Sequence, residues 1–196
     1  MGTNRIKSSN RSIPMMSAYK QLARARDVNN VVVRNLKKRD LLIINQLVFQ
    51  LISAIDKKEG IDRKVVSRNS RSLSRSANSH FLVAEIGQTI AGFTHFTTRR
   101  TITHRGPSGL IDELVVAKSF RRTGIGRQLL SATIQRCKEL ACCEIEVSTE
   151  RTNKRARGFY GSCGFEERGI LLEKYLAQHN SDRGTNQLKG ILFLAV

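Results

Sequence analysis

The 196-residue sequence contains no tryptophan, and aromatic residues make up only 6% of it. Few side chains are therefore available for stacking on nucleic-acid bases. Acidic residues are also scarce, since 16 Asp and Glu stand against 34 Lys and Arg, and the formal net charge is +18. Such a surface attracts anions, whether nucleic acid, cofactor phosphates or an acidic acceptor, and charge alone does not choose among them.

Long apolar runs are missing as well. No run approaches the roughly 18 residues that a membrane helix needs, and the start lacks the roughly 7 to 15 apolar residues of a secretory signal. Cysteines occur only at positions 137, 142, 143 and 163, without disulfide-framework or metal-ligand spacing. We therefore expect a cytoplasmic protein that has reduced thiols, no metal site and no membrane partner.

The length and the 40% hydrophobic content fit one globular domain with tails. Residues 1–29 are basic, with no acid before Asp27, and are predicted to be a flexible tail. A mitochondrial presequence has a similar composition. We place the folded domain at residues 30–176 and a C-terminal tail at 177–196, whose apolar end is either a docking strand or an exposed segment.

In the first half of the domain, the β-branched run from Val31 predicts a strand. A helix should follow from Asp40, whose carboxylate can cap the first turn, and Gly60 can end it. Residues 62–79 are rich in Ser and Arg. If they are helical, one face carries Arg68, Arg71 and Arg75, and this face either lines a cleft or is simply solvated.

The second half alternates strands and helices. Two runs around residues 87–89 predict a hairpin, 81–86 with 90–97. The remaining pattern predicts, in order, a strand at 110–116, a helix at 126–141, a strand at 144–149, a short helix at 153–163 and a final strand at 165–176.

The segment Arg121–Gly126 lies where a strand ends and a helix begins. The free amides of a helix N-terminus favour phosphate, and two glycines allow its close approach. Arg121 and Arg122 can add charge-assisted hydrogen bonds. A dinucleotide-binding loop would need a third glycine, and a Walker loop would need Gly-Lys-Ser or Gly-Lys-Thr, so neither pattern applies.

Three segments in this order resemble the GNAT superfamily of acetyl-CoA dependent N-acetyltransferases: Ile111–Val116, Arg121–Gly126 and Asn153–Phe165. The resemblance covers about residues 31 to 176. It implies an α/β fold with a mixed, mostly antiparallel twisted sheet and helices on both faces. It also implies that the fourth and fifth strands splay apart for acetyl-CoA.

The resemblance further implies which residues hold acetyl-CoA as cosubstrate. Backbone groups of the fourth strand would bond the pantetheine arm, the Arg-Gly loop the pyrophosphate, and the late short helix would complete the site. The implied positions are Leu114, Val115, Val116, Arg121, Arg122, Thr123, Gly124, Ile125, Gly126, Asn153, Ala156 and Phe159.

Acetyl transfer to an amine needs a base for the attacking ammonium and an acid for the departing thiolate. Tyr160, which the resemblance places near the sulfur, is protonated at neutral pH and suits the acid. Glu113 or Asp112 suits the base, and we favour Glu113 by resemblance to small-amine members of the family. Successive strand residues face opposite sides, so at most one is expected in the cleft.

Two histidines near the third strand, His95 and His104, either join a proton relay or pack as ordinary imidazoles. Guanidinium groups pair with phosphate and carboxylate, so an arginine-rich wall would favour an acceptor that carries such an anion. The arginines concerned are Arg68, Arg71, Arg75, Arg99, Arg100 and Arg105.

The sequence therefore predicts an N-acetyltransferase that moves the acetyl group from acetyl-CoA to a primary amine of a small molecule, by direct attack in a ternary complex. One alternative is acetylation of a protein N-terminus or lysine. Another is a nucleic-acid-binding protein that keeps an inactive acetyltransferase fold, for which the +18 charge is the motive. A homodimer is also possible, because the apolar end of the chain can pair with a partner's sheet edge.

Overall fold

One sheet organises the computed structural model, which describes residues 30–55, 62–174 and 193–195. Four strands follow each other as antiparallel neighbours, and a fifth strand pairs parallel with the fourth. Their bounds are β1 (Val31–Asn35), β2 (Ser79–Ile86), β3 (Thr89–Arg99), β4 (Ser108–Val116) and β5 (Glu144–Val147). The predicted mixed, mostly antiparallel sheet is confirmed.

Four helices accompany this sheet: α1 (Leu41–Ile55), α2 (Arg63–Leu73), α3 (Ile125–Glu139) and α4 (Lys154–Gly161). Of these, α1 and α3 pack directly on its strands. In α1 the buried positions Ile44, Leu47 and Leu51 recur every three or four residues, as a helix that packs on one side requires. In α3 the buried positions Ile125, Leu129, Thr133 and Cys137 recur every four residues. The helical period of the sequence was therefore a sound guide to these elements.

The two faces of the sheet carry different helices. Gly92 and Gly109 mark the face under α3, because a Cβ there would lie 3.2 Å from Leu129 Cδ1 and 2.7 Å from Cys137 Sγ, respectively. α1 contacts β3 and β4, and α2 packs against α1. Side chains alternate between the two faces along a strand. His95, three residues after Gly92 in β3, therefore lies on the opposite face, on the side of α1 and α2.

A β-bulge interrupts the pairing of β3 with β4. His95 pairs with Glu113 and Phe96 pairs with Ile111, so Asp112 is an extra residue in β4. A bulge bends and twists its strand locally. β5 pairs with β4 only over Ser108–Ile111, up to the bulge. The two strands therefore part where the bend occurs, which is the splay that the fold prediction required.

The edge of β4 that β5 leaves is taken by a short strand, β6 (Phe193–Ala195), which runs parallel to Glu113–Val115. The other edge of β4 belongs to β3, so β6 lies in the splay. Of the two predictions for the C-terminal tail, the docking strand describes these three residues. The predicted domain boundaries stay predictions.

Two local predictions are wrong. Residues 165–174, expected to begin a final strand, have no regular structure, and three apolar side chains there are exposed: Ile170, Leu171 and Leu172. An apolar run forms a strand only where a sheet edge accepts it. Asp40 does not cap the first turn of α1 but accepts a hydrogen bond from the Lys37 amide at 2.7 Å. The predicted stop at Gly60 lies outside the described residues.

Across the described ranges, no helix combines the length and the apolar character needed to cross a bilayer.

Candidate active site

The bulge in β4 creates a cluster of two carboxylates and one imidazole. His95 is buried, and its Nδ1 lies 2.6 Å from Glu113 Oε2 and 3.8 Å from Asp112 Oδ2. Strict alternation would have sent the two carboxylates to opposite faces, but an oxygen of each lies within 4 Å of the same imidazole. Which of the two meets an acceptor stays a prediction. The extra residue of the bulge breaks the alternation and brings both towards one ring.

The second nitrogen of the same ring faces a hydroxyl. His95 Nε2 lies 2.8 Å from Ser79 Oγ, and the ring stacks on Phe81 with centroids 4.2 Å apart. An ionised carboxylate only accepts hydrogen bonds, so Nδ1 donates to Glu113, and in a neutral ring Nε2 accepts from Ser79. The result is a line of hydrogen bonds across three strands, Ser79 to His95 to Glu113, which fixes the orientation of the ring and of the carboxylate.

The two carboxylates differ in access. The Glu113 side chain is 41% exposed and is held by His95. Asp112 Oδ2 is buried, with no hydrogen-bond partner among the described residues. Burial raises the pKa of Asp112, and the nearby His95 opposes that rise. Glu113 is therefore the carboxylate better placed to meet an acceptor and take up its proton.

The loop at 121–124 leads into the N-terminus of α3. Gly124 is the residue before the helix, with φ of 88°, and it provides no side-chain cap. A left-handed residue followed by helical backbone turns consecutive amides towards one point, an arrangement that binds anions. No atom lies within 4 Å of a Cβ built on Gly124, so its conformation, and not space, requires glycine.

The loop begins with two arginines, Arg121 and Arg122, and contains no acidic residue. Arg121 Nε donates to the Val116 carbonyl at 3.2 Å. Burial lowers the pKa of Arg121, and repulsion from Arg155 lowers it further. Neither Arg121 nor Arg122 forms an ion pair among the described residues. An anion at the α3 N-terminus would relieve that repulsion, so the loop fits a pyrophosphate.

α4 is held beside this loop. Arg127, in the first turn of α3, donates to Ser162 Oγ at 3.0 Å and to its carbonyl at 3.3 Å. Asn153 caps α4, since its Oδ1 accepts from the Ala156 amide at 3.0 Å. The predicted cofactor contact of Asn153 would therefore use its NH₂ group. Ala156 is buried under the helix, and Phe159 packs partly buried beside it.

Tyr160 lies on the buried side of α4. Its side chain is 4% exposed, and its ring centroid lies 5.3 Å from those of Phe159 and Phe165. Burial raises the pKa of Tyr160. The phenol therefore keeps its proton at neutral pH, as a general acid must.

The predicted pantetheine edge is Leu114, Val115 and Val116, which are buried in β4. Their strand bonds β3 on one side, while β6 pairs with Glu113–Val115 on the other. A pantetheine arm laid along this edge would meet the same backbone groups that β6 uses.

Other predicted residues lie elsewhere. His104 Nε2 is 3.2 Å from Glu144 Oε1, and Arg99 pairs with Glu146 at 2.6 Å, so both face β5 and not the His95 cluster. Arg100 and Arg105 are exposed in the β3–β4 connection. Among the described residues no cluster of His, Cys, Asp or Glu suits a metal ion. Sequence reasoning missed Ser79, because only the strand register reveals its contact with His95.

Comparison with known proteins shows the family of the chain. The model of the acetyltransferase (GNAT) family matches residues 49–165. N-alpha-acetyltransferase 30 of Dictyostelium discoideum is 37% identical over 34% of this chain and 36% of its own. Glucosamine 6-phosphate N-acetyltransferase of Arabidopsis thaliana is 29% identical over 36% and 45%. The chain thus aligns with less than half the length of these relatives.

A solved structure with the same fold is AAC(6′)-Iy in complex with the bisubstrate analogue CoA-S-monomethyl-acetylneamine. Its TM-score is 0.64 at 20% identity, over 75% of this chain and 99% of that one. The family model spans the sheet from β2 to β5, α3 with its Arg-Gly loop, and α4. On this evidence the chain belongs to the GNAT acetyltransferase family.

Proposed function

We propose that this protein transfers an acetyl group from acetyl-CoA to a primary amine of a small molecule, in a ternary complex. The observation that carries the proposal is the pairing of Glu113 with His95 at 2.6 Å, at the bulge where β5 leaves β4. The proposed base and the point at which β5 parts from β4 occur together there. The phosphate-binding loop follows on the same strand.

Glu113 is the base for the acceptor. A primary amine is mostly protonated at neutral pH and attacks only once it is neutral, so the carboxylate removes the extra proton, directly or through one water. His95 orients the carboxylate through the hydrogen bond that Nδ1 donates, and Ser79 holds the ring by donating to Nε2. Glu113, whose side chain is 41% exposed, releases the acquired proton to solvent and is thereby reset for the next turnover.

The cosubstrate end of the site is held by the loop and by α4. Acetyl-CoA, when bound, supplies the acetyl thioester and carries away the thiol. The α3 amides with Arg121 would hold its pyrophosphate, and the Leu114–Val116 backbone would hold its arm and polarise the carbonyl, an effect worth a few kcal/mol in comparable sites, roughly 3. Tyr160 would donate its phenolic proton to the leaving sulfur.

Calorimetric titration of acetyl-CoA tests the loop. The triple variant Arg121→Ala/Gly124→Ala/Gly126→Ala should lose the micromolar binding expected of the wild type. Gly87→Ala is the control, because Gly87 also has a positive φ, of 59°, with nothing within 4 Å, but lies in the β2–β3 turn. A folded wild-type protein that binds no acetyl-CoA would refute the proposal.

A second candidate function is acetylation of a protein N-terminus. It is favoured by the alignment with N-alpha-acetyltransferase 30, whose name states that activity for that protein. A panel that contains small amines, N-terminal peptides and lysine peptides separates the alternatives. Faster turnover of the peptides, with small amines inert, would replace the small-molecule acceptor in our proposal.

A further inference from the structure

The structure assigns an anion-binding acceptor groove to the cationic side of α2, and we propose that the acceptor is an amine bearing a phosphate ester at its far end. This inference rests on the proposed acetyl transfer and specifies its second substrate. Five cations define the cationic groove: Arg63, Lys64, Arg68, Arg71 and Arg75.

The groove is built as a stripe. Lys64, Arg68, Arg71 and Arg75 follow each other at intervals of four, three and four residues, which places them along one side of α2 and the turn after it. Hydroxyls of Ser67, Ser72 and Ser76 line the same groove, whose volume is about 810 Å³.

The charge of the groove is not compensated within the described residues. None of its five cations forms an ion pair there. The only acid of the segment, Asp62, caps α2 by accepting from the Lys64 amide at 2.7 Å. Like charges four residues apart and cations at a helix N-terminus both destabilise a helix. A bound dianion would reverse this cost and accept several donors at once.

The groove ends beside the hydrogen-bonded line of Ser79, His95 and Glu113. Ser76, at its C-terminal end, accepts a backbone hydrogen bond from Ser79 at 3.3 Å. Ser79 in turn contacts His95, which holds Glu113. β2 and β4 are two strand spacings apart, roughly 10 Å, so an amine at Glu113 and a phosphate in the groove would be separated by at least about that distance.

A length series tests this geometry. The substrates are aminoalkyl phosphates with about two to eight methylene groups, each compared with the parent amino alcohol. We expect kcat/KM of the longer phosphates to exceed that of their parents by about 10-fold to 100-fold, mainly through a lower KM, and the shortest phosphates to gain little. An equal kcat/KM for phosphate and parent at every length would overturn the inference.

The variant Arg68→Gln/Arg71→Gln should lower kcat/KM of the phosphates to that of their parent amino alcohols and so abolish the preference for phosphates. The control is Arg136→Gln/Lys138→Gln, which removes the same charge from α3 on the opposite face and should retain the preference. Retention of the preference in Arg68→Gln/Arg71→Gln would refute the groove. Intact acetyl-CoA binding in that variant, by calorimetry, separates failure of the groove from failure of acetyl transfer.

Discussion

At the residue scale, Glu113 is the side chain on which the proposed chemistry depends. Glu113→Gln keeps the shape of the group and its hydrogen bond from His95 but removes the base. We expect kcat at neutral pH to fall by about 10²-fold to 10³-fold, with partial recovery at high pH where the acceptor is already a free amine. pH profiles of kcat check this.

Asp112→Asn is the control for that experiment, because Asp112 Oδ2 is buried and 3.8 Å from the imidazole. Its effect should be smaller than that of Glu113→Gln. An unchanged profile for Glu113→Gln would remove Glu113 from the mechanism.

His95 is a positioning residue, since it acts through Glu113. His95→Ala should lower kcat by about 10-fold with little change in the KM for acetyl-CoA, because the imidazole orients the base through its hydrogen bond to Glu113. Added imidazole should restore part of kcat. If His95→Ala lowers kcat, raises the KM for acetyl-CoA and also loses the folded structure, as measured by circular dichroism, then the role of His95 is structural alone.

Asp40 links β1 to the start of α1. Its Oδ2 lies 2.7 Å from Arg34 Nη1, and its side chain is 4% exposed. Burial by itself raises the pKa of Asp40, but hydrogen bonds from Arg34 and the Lys37 amide outweigh burial and leave that pKa lowered. A lowered folded-state pKa contributes stability above the unfolded value, about 3.9, which is lost as the pH falls through the folded value.

Asp40→Asn should therefore lower the free energy of unfolding at neutral pH by about 1 to 2 kcal/mol, because Arg34 loses one charged partner but keeps Glu85 at 2.6 Å. The difference from wild type should shrink below about pH 4. Urea denaturation at several pH values measures both. A difference independent of pH would contradict the assignment of the effect to the carboxylate charge.

At the element scale, β6 occupies the edge of β4 that we propose for the pantetheine arm. Bound cosubstrate would displace β6, so only molecules in which β6 is undocked can bind acetyl-CoA. The apparent Kd is then the intrinsic Kd divided by the fraction of such molecules. Deletion of residues 191–196 should lower the Kd for acetyl-CoA by about 3-fold to 10-fold, by calorimetry.

Leu194→Pro provides a full-length variant for the same test, because proline removes a backbone donor from the strand. It should reproduce the effect of the deletion. A Kd that rises in both variants would mean that β6 supports the cosubstrate site instead of competing for it.

At the scale of the whole molecule, the net charge of +18 sets the long-range field. Anionic acceptors should associate faster at low ionic strength, so their kcat/KM should fall between about 50 and 300 mM salt, while neutral and cationic acceptors should lack this decline. RNA binding, measured over the same range of salt concentrations, tests whether the protein binds nucleic acid. Salt-sensitive RNA binding by a protein that fails to bind acetyl-CoA would favour the inactive-fold alternative.

The sequence by itself determined the elements with a strong period and the loop with a strong local requirement. α1 and α3 follow from apolar residues three and four apart, and the Arg-Gly loop follows from the glycine at 124, which local backbone conformation demands. The family could be recognised for the same reason, because its cofactor motifs are short and continuous along the chain.

Only the tertiary structure decided how distant residues meet. Ser79, His95 and Glu113 come from three strands, and their contact depends on pairing register and on one extra residue in β4. The irregular course of 165–174 and the docking of β6 depend on which sheet edge is open. Register, bulges and free edges arise from packing between segments far apart in sequence, so no local pattern of residues specifies them.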